Sequence, residues 1–285
     1  MSELKKYLSL VKFSHTIFAM PFALVGYFLG IKTAGFGFDW KVFILVIVCM
    51  ILARSAAMAF NRMVDVQYDR RNPRTINREI PSGQISLFAA SVFVAAASLL
   101  FIITTWFINP LVFYLSPVAL IVIFGYSFTK RFTSLCHFVL GLGLALAPIG
   151  AYLSVTARFD VLPILFSFIV LLWVGGFDII YALQDDDFDK SQKLHSLPVR
   201  LGRKTALLFS ALAHLLTVGI AVYAGFIGQF SVFYWVGVLI FSGMLIYEHL
   251  LVKPGDLSRV NMAFAVVNGI AGVIFGGLVI LSLYF

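Results

Sequence analysis

Residues 42–69 read VFILVIVCMILARSAAMAFNRMVDVQYD. From 42 to 60 the run is apolar apart from Arg54 and Ser55. Its length approaches the roughly 20 residues that an α-helix needs to cross a bilayer. The run ends in Asn61, Asp65 and Asp69, spaced i, i+4, i+8, so on a helix the three share one face. Like charges four residues apart repel, and the arrangement is costly unless a cation offsets it. The segment therefore reads as a membrane helix that carries oxygen donors to its end.

The rest of the chain repeats the apolar theme. Of its 285 residues 61% are hydrophobic and 12% charged, against about a quarter charged in soluble domains. The mean hydropathy is +0.99. Nine stretches are predicted to span: roughly 14–32, 42–60, 86–108, 111–127, 135–155, 161–183, 205–226, 229–251 and 262–285. Gly35-Phe36-Gly37, Asn109-Pro110 and Lys253-Pro254-Gly255-Asp256 punctuate them. The expectation is an all-α polytopic membrane protein, with residues 1–285 as a single transmembrane domain of nine helices in one bundle. No internal repeat stands out. The basic N-terminus lacks a small-residue cleavage site and reads as no cleaved signal.

The net charge of +8 would suggest nucleic acid in a soluble protein. Here the charges lie in loops between spans, so topology and anionic lipid account for them and no nucleic-acid partner is expected. Under this topology 17 of the 21 Lys and Arg residues fall on one side, which places the N-terminus in the cytoplasm. Lys32, Lys41 and Arg158 fall on the other side, and Arg54 lies within a span. Cys49 and Cys136 have neither metal-ligand nor redox spacing.

Two long polar loops, 61–85 and 184–204, lie on the cytoplasmic side, and both hold carboxylates. In the second, Asp185 and Asp189 repeat the four-residue spacing. Asp178 lies two turns before Asp185 on nearly the same face. Oxygen donors without paired His or Cys suit a hard cation such as Mg2+, which takes one or two carboxylates plus substrate phosphates. Two such segments point to a diphosphate held through Mg2+, with Asn61, Asp65, Asp69, Asp185 and Asp189 as metal ligands. Arg70, Arg71, Arg74, Arg78, Lys130, Arg131, Lys190 and Lys193 are candidate phosphate partners, Arg78 and Lys130 foremost. The competing reading makes the carboxylates polar caps and the cations topology signals in solvated loops.

At these residues the chain resembles the UbiA superfamily of intramembrane prenyltransferases, over nearly its whole length. The first family motif, Asn-Asp-x-x-Asp-x-x-x-Asp, corresponds to Asn61-Arg62-x-x-Asp65-x-x-x-Asp69, with Arg62 where the family has Asp. Arg74-Thr75-Ile76-Asn77-Arg78-Glu79-Ile80-Pro81-Ser82-Gly83 is similar to the family's Arg-Thr-x-x-Arg-Pro-x-x-x-Gly loop, with Glu79 where Pro is usual. Tyr126-Ser127-Phe128-Thr129-Lys130-Arg131 resembles the aromatic-basic loop after the fourth span. Asp178-x-x-Tyr181-x-x-x-Asp185-x-x-x-Asp189 resembles the second acidic motif. Leu194-His195-Ser196-Leu197-Pro198 is similar to the 4-hydroxybenzoate polyprenyltransferase-like branch, which includes enzymes of the futalosine route to menaquinone.

The resemblance implies transfer of a polyprenyl group from its diphosphate to an aromatic acid, 4-hydroxybenzoate or a dihydroxynaphthoate. Arg54, on the face of Asn61 and at a depth where a lone charge is costly, would pair with the acceptor carboxylate. The alternative for Arg54 is a structural bond to backbone carbonyls or to an acid in the bundle. The departing diphosphate would be neutralised by Mg2+ and by Arg78, Lys130, Arg131 and Lys190. Asp65 and Asp185 would act in that step. The ring would attack the allylic carbon in a dry site, Tyr126, Phe128 and Tyr181 would be candidates to face the developing cation, and Asp178 would serve as base or orient the acceptor. The implied setting is the cell inner membrane, in contact with lipid and with the active site on the cytoplasmic side. The alternatives are a relative with another acceptor, such as a haem O synthase-like enzyme, or a transporter, whose ionisable residues would sit nearer the midplane.

Overall fold

The computed structural model describes residues 3–12 and 18–285. The helices are α1 (Glu3–Leu10), α2 (Met20–Ala34), α3 (Trp40–Val64), the single turn α4 (Val66–Asp69), α5 (Leu87–Trp106), α6 (Pro110–Thr129), α7 (Cys136–Thr156) and α8 (Val161–Ala182). A 3-10 turn (Leu183–Asp185) leads into α9 (Asp186–Ser191), followed by α10 (Leu197–Gly228), α11 (Val232–Leu251), a π-helical turn (Met262–Val267) and α12 (Asn268–Ser282). Among the described residues, eight helices are long and apolar enough to cross a membrane. The helix α2 is apolar but only 15 residues long, and the start of the span expected over 14–32 lies outside the described residues.

Local chemistry sets the helix ends. Asp39 accepts the Lys41 N–H at 2.8 Å and opens α3. Ser86 accepts the Ala89 N–H at 3.1 Å and opens α5. Asn109 accepts the Val112 N–H at 3.0 Å before Pro110, the first residue of α6. These are side-chain caps on orphan donors. Gly202 breaks α10 with φ +78° and ψ 161°, a conformation that glycine adopts without steric cost. The membrane-crossing part of α10 therefore begins after it, in keeping with the span expected from 205.

The helix α8 is the core of the bundle. Phe166, Ile169, Val170, Trp173, Val174 and Phe177 are buried at helical spacing, and α7 and α10 pack along α8. A Cβ on Gly141 of α7 would stand 2.3 Å from the Leu171 carbonyl oxygen. That crossing is possible only without a side chain, as in other close membrane helix pairs. Outward faces are apolar too: Tyr114, Val118 and Ile121 on α6, and Leu208, Leu212 and Leu215 on α10, are exposed. Such outward apolar faces suit an integral membrane protein.

One polar node lies inside. Asn268 accepts from Trp173 Nε1 at 2.8 Å and donates to Glu248 Oε1 at 2.8 Å and to the Ala263 carbonyl at 2.9 Å. The Ala263 carbonyl also accepts the Asn268 backbone N–H, the i→i+5 bond of the π-helical turn. The node joins α8, α11 and α12.

Candidate functional site

Both acidic segments break helical geometry at their central aspartate. Asp65, between α3 and α4, has φ −90° and ψ 5°. Asp185, the last residue of the 3-10 turn and the N-cap of α9, has φ −112° and ψ 4°. This sparsely populated bridge region recurs at active-site residues. The four-residue register survives at the first break, because Asp65 N–H still bonds the Asn61 carbonyl at 2.9 Å and Asp69 N–H the Asp65 carbonyl at 2.8 Å. Asn61 Nδ2 donates to Asp65 Oδ2 at 3.0 Å.

The two segments face each other across a cleft of about 110 Å3, lined by Asp65, Asp69, Asn72, Arg74, Arg78, Lys130, Arg131, Asp185 and Asp189 among others. Each carboxylate has a cation beside it. Arg78 Nη1 bridges both oxygens of Asp69 at 2.9 and 3.0 Å. Lys130 Nζ lies 2.7 Å from Asp189 Oδ2. Arg74 holds Asp185 through two nitrogens, with Nε at 2.9 Å from Oδ1. Arg131 Nη2 lies 3.7 Å from Asp65 Oδ1. Asn72 donates to Asp185 Oδ1 at 3.1 Å, and Arg74 Nη1 donates to the Tyr181 hydroxyl at 2.7 Å.

A second, apolar cavity of about 340 Å3 runs between α2, α3, α5, α6 and α7, with Arg54 and Tyr126 in its wall. Other lining residues include Ala53, Phe101, Ile123, Leu144, Leu153 and Phe159. The Nε of Arg54 is fully enclosed and has no hydrogen-bond partner among the described residues. Tyr126 has Arg54, Asp65 and Asp178 as charged neighbours. It marks the junction between the apolar cavity and the acidic cleft.

The sequence pattern of the UbiA prenyltransferase family matches residues 19–279. The chain belongs to the UbiA prenyltransferase family. A 4-hydroxybenzoate octaprenyltransferase of Paraburkholderia phymatum is 32% identical over 228 residues, covering 80% of this chain and 79% of that one. Its counterpart in Paraburkholderia phytofirmans is 30% identical over 239 residues, covering 84% and 83%. The apo structure of a UbiA homologue from Aeropyrum pernix superposes with a TM-score of 0.84 at 31% identity, over 94% of this chain and 97% of that one. A UbiA homologue from Archaeoglobus fulgidus, solved with GPP and Mg2+, shares the fold with a TM-score of 0.70 at 21% identity, over 97% and 99%.

The electrostatics of this UbiA cleft follow from burial and pairing. Burial pushes the Asp65 carboxyl up to about 6; Asp69 adds to the rise, while Arg131, Lys130 and Arg78 oppose it. Burial works against the charged form of Lys130, yet Asp189 outweighs it and lifts the ammonium above its ordinary value. Arg74 behaves alike, its bonds to Asp185 and Tyr181 prevailing over burial. Among the described residues, no three His, Cys, Asp or Glu side chains converge into a cage for a metal ion. The donor set is carboxylate and amide oxygen, which suits a hard cation that completes its shell with phosphate and water.

The structure brings together Asp65, Asp69, Arg78, Lys130, Arg131, Asp185 and Asp189 as the sequence suggested. It places Arg54 and Tyr126 in the apolar cavity and Tyr181 against Arg74 and Phe264. Lys190 is exposed and outside the cleft wall. Asp178 is bound to His137. Sequence reasoning missed Asn72 and His137. The sequence signal for Asn72 was its position one helical turn after Asp69. For His137 it was a lone imidazole opening an apolar span.

The two departures from the family motif, Arg62 and Glu79, meet each other. Arg62 Nη1 lies 3.0 Å from Glu79 Oε2, with side-chain exposures of 3% and 9%. Ser9 of α1 donates to the other oxygen of Glu79. Arg62 thus points away from the Asn61–Asp65–Asp69 face.

Proposed function

We propose that this prenyltransferase moves a polyprenyl group from its diphosphate to the ring carbon ortho to the hydroxyl of an aromatic acid, in quinone biosynthesis. The acceptor is of the 4-hydroxybenzoate or 1,4-dihydroxy-6-naphthoate type. The observation that carries the acceptor class is Arg54: a guanidinium with an enclosed, unpartnered Nε in the wall of an apolar cavity. A guanidinium nitrogen without a partner among the described residues is costly in such a wall, and a carboxylate arriving with an aromatic ring relieves that cost. The names of the two Paraburkholderia relatives agree with this reading.

Asn61, Asp65, Asp69, Asp185 and Asp189 would hold Mg2+, which supplies charge neutralisation for the diphosphate when bound. The Archaeoglobus homologue bound to GPP and Mg2+ supports that assignment. Arg78 and Lys130 neutralise the phosphate oxygens as the bond to the allylic carbon breaks and its electron pair leaves with the diphosphate. Arg131 and Arg74 contribute to the basic rim, whereas Lys190 stands outside the cleft wall. The developing allylic cation lies at the junction of cleft and cavity, beside Tyr126 and Tyr181, whose ring faces favour positive charge. The hydroxyl-activated ring forms the new carbon–carbon bond there, and Asp178 takes the displaced ring proton. The prenyl tail occupies the apolar cavity, which keeps water from the cation. The whole chain acts as one transmembrane catalytic domain in the cell inner membrane, with its cleft on the cytoplasmic face.

The test is prenyl transfer by purified protein with geranyl diphosphate, Mg2+ and either acid, beside an Asp65→Ala control. Product with one acid, absent in the control and without Mg2+, supports the reading and selects the acceptor. Mg2+-dependent diphosphate binding without product from either acid would overturn the acceptor class alone.

A further inference from the structure

His137 opens α7 and is 1% exposed. Its ring is held at both nitrogens. Nε2 accepts the Leu197 backbone N–H at 3.3 Å, so that nitrogen presents a lone pair and the ring proton sits on Nδ1. Nδ1 lies 2.7 Å from Asp178 Oδ2. The neutral imidazole thus donates a short, charge-assisted hydrogen bond to the carboxylate.

Asp178 differs from its partner in exposure. Its side chain keeps 22% of its surface open, against 2% for His137. Oδ1 makes no hydrogen bond among the described residues, and Tyr126 feels its charge. A carboxylate on a free Cβ–Cγ bond samples a broad range of orientations. With Oδ2 pinned, the carboxylate is held in one orientation and Oδ1 is the oxygen left free, on a side chain that is still partly open.

The pinning group is itself anchored to the cleft. Cys136 Sγ donates to the His195 carbonyl at 3.5 Å, and His195 N–H donates to the Lys130 carbonyl at 2.7 Å. Leu197 begins α10. His137 therefore ties Asp178 to the segment 195–197, which is bonded in turn to the backbone of Lys130.

We infer that His137 is a positioning residue for proton removal: it orients Asp178 so that Oδ1 receives the ring proton. The inference rests on the reading of Asp178 as the base. In that step the ring C–H bond breaks, its electron pair restores aromaticity, and the proton passes to Oδ1 while Oδ2 keeps the His137 bond. Misplacing a reacting group by about 1 Å costs on the order of 100-fold, and that sets the scale of the effect.

Two amide substitutions separate positioning from scaffolding. His137→Asn keeps a donor at the place of Nδ1 and loses the Leu197 contact; His137→Gln keeps a partner for Leu197 and loses the Asp178 bond. Steady-state kinetics use acceptor acid with and without deuterium ortho to the hydroxyl. The expected result is His137→Asn within about threefold of wild-type kcat. His137→Gln should lose roughly 10–100-fold in kcat, with both KM values within about twofold and a deuterium isotope effect absent from wild type. The reverse order of the two variants, or loss in both without an isotope effect, would overturn the positioning role and make His137 a structural strut. Asp178→Asn with wild-type turnover would remove the base reading itself, whereas an inactive Asp178→Asn beside a normal His137→Gln would sink only the role of His137.

Discussion

The Arg62–Glu79 pair offers a quantitative test of how the chain tolerates two departures from its family's motifs. Both side chains are almost fully buried and their charged atoms are 3.0 Å apart. Removing one partner of such a pair strands the other charge and costs about 3–5 kcal/mol, whereas replacing both with apolar residues of similar volume is often neutral or better. Glu79→Leu leaves Arg62 beside Arg78 without its paired carboxylate, with Asp69, already bonded to Arg78, as the remaining counter-charge. Arg62→Met frees Glu79 to compete with Asp69 for Arg78, which now bridges both Asp69 oxygens. Each single variant should therefore lose about 3–5 kcal/mol and bind prenyl diphosphate more weakly. The double variant should lose less than either and recover diphosphate affinity, so the coupling energy exceeds the larger single loss of about 3–5 kcal/mol, at or above the top of the usual range for contacting pairs. The assay is reversible denaturant unfolding in mixed micelles together with the KM for geranyl diphosphate. If the double variant is as unstable as the sum of the singles, the two departures are independent and the compensation argument fails.

Arg54→Leu should raise the acceptor KM by at least tenfold, leave the diphosphate KM unchanged and raise the unfolding midpoint, since a buried charge with a nitrogen unpartnered among the described residues leaves an apolar wall; a destabilised variant with a normal acceptor KM would show that Arg54 is structural. Asp65→Asn should abolish turnover yet stabilise the metal-free protein at pH 7.5. Its carboxyl stands at about 6 in the fold against about 3.9 in an unfolded chain, so acid favours the native state; the stabilising contribution of the proton is full below about 4 and is lost as pH rises through 6. The gain from Asn should therefore shrink below pH 6, and a pH-independent gain would contradict the burial argument. Mg2+ and geranyl diphosphate should each bind more tightly by the same factor in the other's presence; tight Mg2+ binding alone by calorimetry would contradict a cleft whose four acids already have cations. Asn268→Leu should cost about 2–5 kcal/mol, because Trp173 Nε1 and Glu248 Oε1 lose their partner, with both KM values unchanged.

Much of the fold was legible because lipid imposes a simple rule: long apolar runs become helices, and Pro, Gly and capping residues end them. Asn109-Pro110 and Ser86 mark starts where the structure has them. The run from 42 was read as ending at 60, yet α3 continues to Val64, because hydropathy falls before helical hydrogen bonding does. The break at Gly202 was not foreseen in the sequence reading, although the span was expected only from 205. The node at Asn268 was invisible for a different reason. A single Asn or Glu in an apolar stretch shows no period, and only the packing of α8, α11 and α12 reveals that their polar groups meet.

The site was legible to the extent that its chemistry is local. Four-residue spacing brought Asn61, Asp65 and Asp69 together, and Asp185 with Asp189, because those relations lie within one segment. What the spacing could not give was pairing across segments. Arg74 engages Asp185, and Lys130 engages Asp189, although each is distant in sequence from its partner. Arg62 looked like a lost ligand and Glu79 like a lost proline until their contact showed one substitution answering the other. The same holds for His137, which no motif flags. Its two nitrogens are committed to Asp178 and to the start of α10, and only that double commitment distinguishes a positioning group from an ordinary buried imidazole. Residues that act through a neighbour carry their signal in geometry, because selection acts on the contact, and the contact can be made by more than one side chain.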